Sequence, residues 1–243
     1  MEVILNALEQ GLLFSLVAMG VYITYKILDF PDLSVDGTFP LGASISAAML
    51  IRGINPWITI LVATLGGACA GAVTGFLNVK LKISNLMSGI LVMMGLYSVN
   101  LRIMGKSNIP LFNTNYIFRN PAINSIFIIL AIVILLKIIL DLFLKTKTGF
   151  LLIAVGDNEQ VVSSLGVNKN IIKVLGLSIS NALVALSGAL TAQNQGFSDV
   201  TMGTGIVVMG LAAVIIGTSI FGKLSIIKVT TLSIFGAIIY KLV

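Results

Sequence analysis

The chain has 243 residues, is 57 % hydrophobic and 10 % charged, and has a mean hydropathy of +1.08; soluble domains carry roughly 25 % charge, so a soluble globule with a wettable outside is excluded. It has no histidine and a single cysteine, Cys69, set in an apolar run, which excludes a disulfide framework, a thiol metal site and the commonest general base. The net charge of +6 comes from lysines at the ends of apolar segments, a pattern of membrane topology rather than of nucleic-acid binding.

The opening MEVILNALEQ lacks a basic region and a small-residue cleavage site, so no removable signal peptide is expected. A spanning helix needs ~20 apolar residues, or ~17 at the short end. Eight segments qualify or come close: 3–28, 39–51, 57–79, 86–101, 123–144, 172–192, 204–221 and 224–243. The second is short and reads as half of a broken helix. In the third, Gly67, Gly71 and Gly75 recur at spacing four. They make a small-residue seam on which a neighbouring helix packs closely. In the fifth, Lys137 and Asp141 are spaced to pair on one helix face and to snorkel to the interface.

Between the fifth and sixth segments runs a polar interlude, residues 145–173, KTKTGFLLIAVGDNEQVVSSLGVNKNIIK. It carries Lys145, Lys147, Lys169 and Lys173, has Asp157 and Glu159 at its centre, and is punctuated by Gly149, Gly156 and Gly166. It reads as a cytoplasmic docking element, against the plainer alternative of a solvated loop. Short loops rich in Lys and Arg stay in the cytoplasm. Lys26, Lys80, Lys82, the four interlude lysines and Lys223 all fall on one side by simple alternation. Arg52, Arg102, Lys106 and Arg119 fall on the other, which also holds the N-terminus.

Two further stretches bear on chemistry. GTSIFGKL, residues 217–224, approaches the phosphate-binding G-x-x-x-x-G-K-[ST] pattern but has Leu224 where a magnesium-holding hydroxyl belongs, and it lies between two membrane segments. The chain is therefore not expected to hydrolyse ATP itself, and no catalytic constellation or metal-ligand set stands out elsewhere. FPDLSVDGTFPLGASISAAML, residues 30–50, brings Asp32 and Asp36 together with Pro31, Gly37 and Pro40. Two readings stay open. Residues 29–40 are either unwound backbone with carboxylates at membrane depth, where such groups are often functional, or a cytoplasmic turn with solvated aspartates and a helix cap. Asp32, Ser34, Asp36 and Asn100 are the candidates to line a solute path, a carboxylate being suited to meet an amino group.

PDLSVDGTFPLGASISA resembles the D-L-S-V-G-x-x-x-x-L-x-G-A stretch of ribose-type ABC importer permeases. TKTGFLLIAVGDNEQVVSSLGVNKNIIK is similar to their T-x-x-G-x-x-x-x-A-x-G-x-N-x-x-A-A-x-x-x-G-I segment, and GLAAVIIGTSIFGKL to their A-A-V-x-I-G-G-T-S-x-x-G-G run. ILDFPDLSVDGTFPLGA with LYSVNLRIMGKSNIPL resembles in particular a branch of uncharacterised or tryptophan/tyrosine-type permeases within this branched-chain amino acid/ribose class. The likeness runs in order over nearly the whole chain. Val161 and Val162 depart from it by replacing alanines, and Lys223 by replacing a glycine.

The resemblance implies an all-α polytopic bundle of about eight membrane segments with a short cytoplasmic coupling helix, residues 1–243 forming one permease domain. The family continues past Val243, so a further segment is expected. It implies a bacterial plasma-membrane subunit that works as a homodimer in the lipid bilayer. Its partners would be cytoplasmic ATPase subunits and an external substrate-binding lipoprotein; the lipoprotein would set selectivity for a small organic solute such as an amino acid. No cofactor or nucleic acid is implied. By position, Gly156, Asp157, Asn158 and Glu159 form or flank the coupling helix, and Leu165 and Gly166 end it. Two other classes remain: an ion-coupled secondary carrier using Asp32 or Asp36, and a membrane scaffold that moves nothing.

Overall fold

Backbone surrounded by lipid must satisfy its hydrogen bonds within its own segment, which leaves helices as the natural state of these apolar runs. The computed structural model describes residues 2–112, 114–119, 125–221 and 229–242, and within them the chain forms ten α-helices. In chain order these are α1 Glu2–Val21, α2 Val35–Ile51, α3 Pro56–Leu81, α4 Asn85–Met104, α5 Ser125–Leu144, α6 Lys147–Asp157, α7 Glu159–Ser164, α8 Lys169–Gln195, α9 Ile206–Phe221 and α10 Val229–Leu242. α1 runs directly into a π-helical turn, Tyr22–Ile27. Five of the helical segments are long and apolar enough to cross a membrane: residues 4–27, α3, α4, α5 and α8. α2, α9 and α10 are shorter apolar helices. The chain is thus an all-α polytopic membrane protein.

α8 is the axis of the bundle. α1 packs against it antiparallel: Ser187 donates to the Leu13 carbonyl and Ser180 to the Gly20 carbonyl, each at 2.7 Å. α3 does the same through its glycines. A Cβ added at Gly67 would overlap Asn181, one at Gly71 would overlap Leu177, and one at Gly75 would press on Val174 at 2.9 Å. α2 runs parallel to α8, Thr38 meeting Asn181 and Ser46 meeting Gln193, and the two helices cross closely where Gly42 lies against Ala185 and Gly188 against Phe39. The main apolar core, which includes Leu13, Leu16, Met19, Leu177 and Leu190, fills the space around this axis. α9 and α10 form an antiparallel pair seated against α1, with Gly217 against Leu232 and Gly11 against Ile238.

The ends of the bundle agree with the charge-based sidedness. A two-stranded antiparallel ribbon, β1 Asn108–Pro110 and β2 Phe197–Asp199, joins the connection after α4 to the connection after α8. Residues 53–56 share a cavity of about 490 Å³ with Thr114 and Asn115 at that same end. At the opposite end Gly156 abuts the Ile27 carbonyl, and Glu159 pairs with Lys169 and Lys173.

Several local expectations are corrected. The first segment is not one continuous α-helix, because its last turn is π-helical. α2 begins at Val35, ahead of the expected Phe39, since Asp36 and Gly37 are already helical. Asp141 does pair with Lys137 at 3.1 Å, but it is buried and also accepts from Thr230 of α10 at 2.7 Å, so it ties two helices together instead of snorkelling. The ribbon has no counterpart in the sequence reading. Lys223, Leu224 and the rest of the phosphate-loop resemblance beyond Phe221, together with Val243, lie outside the described residues.

Candidate functional site

The break between α1 and α2 is built around a buried polar knot. After the π-turn, Phe30 N–H returns to the Thr24 carbonyl at 2.9 Å, and Asp29 takes a left-handed conformation with φ 50°. The chain then turns inward. Asp32 Oδ1 accepts from the Ser34 N–H at 2.9 Å, and Asp32 Oδ2 accepts from Asn181 Nδ2 at 2.8 Å. Asn181 Oδ1 in turn accepts from Thr38 Oγ1 at 2.7 Å and from Ser34 Oγ at 3.2 Å. Asp32, Ser34, Thr38 and Asn181 are all buried. Asn181 lies about 12 Å along α8 from Lys173, near the middle of a helix of 27 residues. From Phe30 to Ser34 the chain therefore turns inside the helical bundle, with Asp32 and Ser34 satisfied by protein, as unwound backbone away from water requires. The packing favours this over a solvated cytoplasmic turn.

Asp36 points elsewhere. Its carboxylate accepts from Gly205 N–H at 3.0 Å and Val207 N–H at 2.8 Å, which caps the N-terminus of α9 from another helix. The first N–H groups of a helix have no intrahelical partner, and negative charge is favourable beside them. Gly203 permits this approach: any side chain there would collide with the Asp36 carbonyl and the Pro40 ring.

Beside Asp36 lies a cavity of about 360 Å³, between the N-terminal half of α2, the middle of α4 and the turn that precedes α9. Asp36, Tyr97, Asn100 and Thr204 contribute its polar side chains. Asn100 Nδ2 donates to the Gly37 carbonyl at 3.2 Å, and Asn100 Oδ1 is buried without a hydrogen-bond partner among the described residues. Of the four path candidates, Asp36 and Asn100 thus reach the cavity wall. Asp32 and Ser34 do not: they are spent in the contact between α2 and α8.

The sequence reading missed two buried polar residues that each tie several segments together. One is Asn181. The other is Gln193, which is buried, donates to Ser46 Oγ at 3.1 Å and Thr59 Oγ1 at 3.2 Å, and accepts from Ile117 N–H at 3.2 Å. Both stand inside a long apolar helix, where a polar side chain is costly enough to signal a partner.

The interlude folds as two short helices. Thr146 caps α6 by accepting from Gly149 N–H at 3.2 Å, and Asn158 caps α7 by accepting from Gln160 N–H at 2.9 Å. Gly156 is a packing residue, since a Cβ there would overlap the Ile27 carbonyl. Glu159 is held by Lys173 and by Lys169 at 2.9 Å. Those lysines keep its carboxyl below the ordinary value, chiefly through the Lys173 hydrogen bond, against the opposing effect of partial burial. Asp157 and Asn158 are exposed, as are Val161 at 51 % and Leu165 at 68 %. Gly166, with φ +74°, ends the element in the left-handed conformation that favours glycine.

Comparison with known proteins places these features in a family. The family described as branched-chain amino acid transport system, permease component, matches residues 3–243. The "Tyrosine transport system permease protein" of Clostridioides difficile (strain R20291) is 56 % identical over 241 residues, covering 99 % of this chain and 81 % of that protein. An uncharacterised protein of Rickettsia prowazekii (strain Madrid E) is 38 % identical over 198 residues, 77 % of this chain and 67 % of that one. The "Ribose import permease protein RbsC" of Bacillus subtilis (strain 168) is 28 % identical over 194 residues, 76 % of this chain and 58 % of that one.

Proposed function

This chain belongs to the branched-chain amino acid transport system permease family and is a permease component of an ABC-type import system for small solutes; we propose that two copies of it form the path for an amino acid in a bacterial plasma membrane. Hydrolysis of ATP belongs to separate cytoplasmic subunits, and an external binding lipoprotein delivers the solute. The observation that carries the amino-acid reading is the 56 % identity, over 99 % of this chain, with a protein named as a tyrosine permease. That level of identity makes tyrosine the first solute to try.

In this reading α7 is the element that meets the ATPase. Asp157, Asn158, Val161, Leu165 and Gly166 offer an exposed surface, while Gly156 and Glu159 fix that surface to the bundle behind it. A short helix fixed to the bundle in this way is suited to pass rigid-body motion between subunits. Asp36 and Asn100 line the solute path. The ion-coupled carrier has less support, because Asp32, the more deeply buried of its two candidate carboxylates, is already engaged by Ser34 and Asn181.

Purification from native membranes in mild detergent tests the assembly. Recovery with an ATPase subunit and a lipoprotein is the expected result. Recovery of the intact, monodisperse chain alone would overturn it.

A further inference from the structure

The cavity beside Asp36 has an asymmetric lining. Its polar groups are acceptors or hydroxyls: the Asp36 carboxylate, the Asn100 amide oxygen and the hydroxyls of Tyr97 and Thr204. Pro40, Met93, Met94, Val200 and the ring of Tyr97 form an apolar and aromatic wall, and among the described residues no lysine or arginine contributes. Its volume of about 360 Å³ falls at the lower end of the ~300–1,000 Å³ typical of small-molecule pockets.

The orientation of the Asn100 amide is fixed by chemistry. The Gly37 carbonyl can only accept, so the NH₂ side must face it, at 3.2 Å. The carbonyl side is therefore the free one, and Oδ1 is buried with no donor among the described residues. Such an atom in a native structure calls for a donor, whether an ordered water or a ligand group. Asp36 adds negative charge. Gly205 and Val207 N–H groups take two of its lone-pair positions, and an ionised carboxylate offers about four. The wall suits the body of an amine-bearing solute as well, since a tyrosine ring is a residue type that attracts cations and methionine one that packs favourably on aromatic rings, and Tyr97, Met93 and Met94 all line it.

We propose that this cavity is a way-station that holds the solute by its ammonium group, with Asn100 Oδ1 and Asp36 as acceptors and Met93, Met94 and Tyr97 around an apolar body. The proposal rests on the transport reading above and names the recognition chemistry on that path. A zwitterion enters amine-first, with its carboxylate toward the open side, because the cavity offers no cation to meet it.

The test uses the full chain in membranes, with Cys69→Ala removing the native thiol and Met94→Cys placing a reporter on the wall. A thiosulfonate reagent carrying an ammonium group is compared with one carrying a sulfonate. The cationic reagent is expected to label about tenfold faster, as an acceptor-lined cleft concentrates cations. Tyrosine and tyramine should protect the reporter, whereas 3-(4-hydroxyphenyl)propionate, which lacks the amine, should not. Asn100→Leu should abolish protection by tyramine, and Asn100→Asp should retain it. Thr204→Cys serves as the reporter if Met94→Cys fails to fold. Equal labelling by both reagents, or protection by the acid in place of the amine, overturns the proposal. Tyrosine uptake with equal labelling overturns the site and leaves the transport reading intact. Charge-selective labelling without tyrosine uptake upholds the site and removes tyrosine as the transported solute.

Discussion

Asn181 holds three partners from the start of α2: the Asp32 carboxylate and the Ser34 and Thr38 hydroxyls. Removing it leaves the buried Asp32 carboxyl with the Ser34 N–H alone and takes the acceptor from the Ser34 hydroxyl. Loss of a hydrogen bond to a buried carboxylate costs roughly 1.5–3 kcal/mol. Asn181→Ala is therefore expected to lower thermal stability in detergent by an amount in that range, and a loss under about 1 kcal/mol would contradict the role given to the knot. The interlude glycines make a second contrast. Gly156 touches the Ile27 carbonyl, whereas Gly166 has open space around it and a φ of +74°. Gly156→Ala should displace α6 from the π-turn and abolish a stable fold. Gly166→Ala should cost only ~1–2 kcal/mol for the left-handed backbone, a difference readable by thermal unfolding of the two variants side by side.

At the scale of elements, α7 is anchored by charge. Glu159 takes both Lys169 and Lys173 from the first turn of α8. Its carboxyl titrates below its ordinary value, so the pairing stabilises fully above that ordinary value and is lost as pH falls through the lowered one. At neutral pH it is intact. The pair is about 40 % exposed on the Glu159 side, and such bridges contribute only ~0–1 kcal/mol. Glu159→Lys is therefore expected to leave global stability nearly unchanged while uncoupling ATP hydrolysis from uptake. Adding Lys173→Glu should restore much of the coupling. Failure of the pair to rescue, with both variants folded, would assign Glu159 to the ATPase contact instead of the anchor.

Across the whole molecule, the five long apolar spans, the three shorter apolar helices and the grouping of the connections at two ends were legible in the sequence, because apolar length and the placement of lysines are strong physical constraints. The glycine seam of α3 was legible for the same reason: Gly67, Gly71 and Gly75 recur on one face, and that face packs on α8. The partner helix was not legible, since small-residue spacing carries no address. The break near Asp32 was visible as Pro and Gly among apolar residues, but its depth depends on Asn181 lying opposite it, a pairing remote in sequence. For the same reason composition grouped Asp32 with Asp36, although the fold sends one to α8 and the other to α9. The π-turn and the ribbon between β1 and β2 arise from tertiary packing and leave no local signature.

These scales meet in one claim, that the chain is the membrane path of an ATP-driven importer of an amino acid. The most direct measurement is uptake of labelled tyrosine into proteoliposomes holding the permease with its cognate ATPase and lipoprotein. The account predicts accumulation that requires both ATP and the lipoprotein and persists when proton and sodium gradients are collapsed. Uptake that survives without ATP and vanishes with an ion gradient would contradict it.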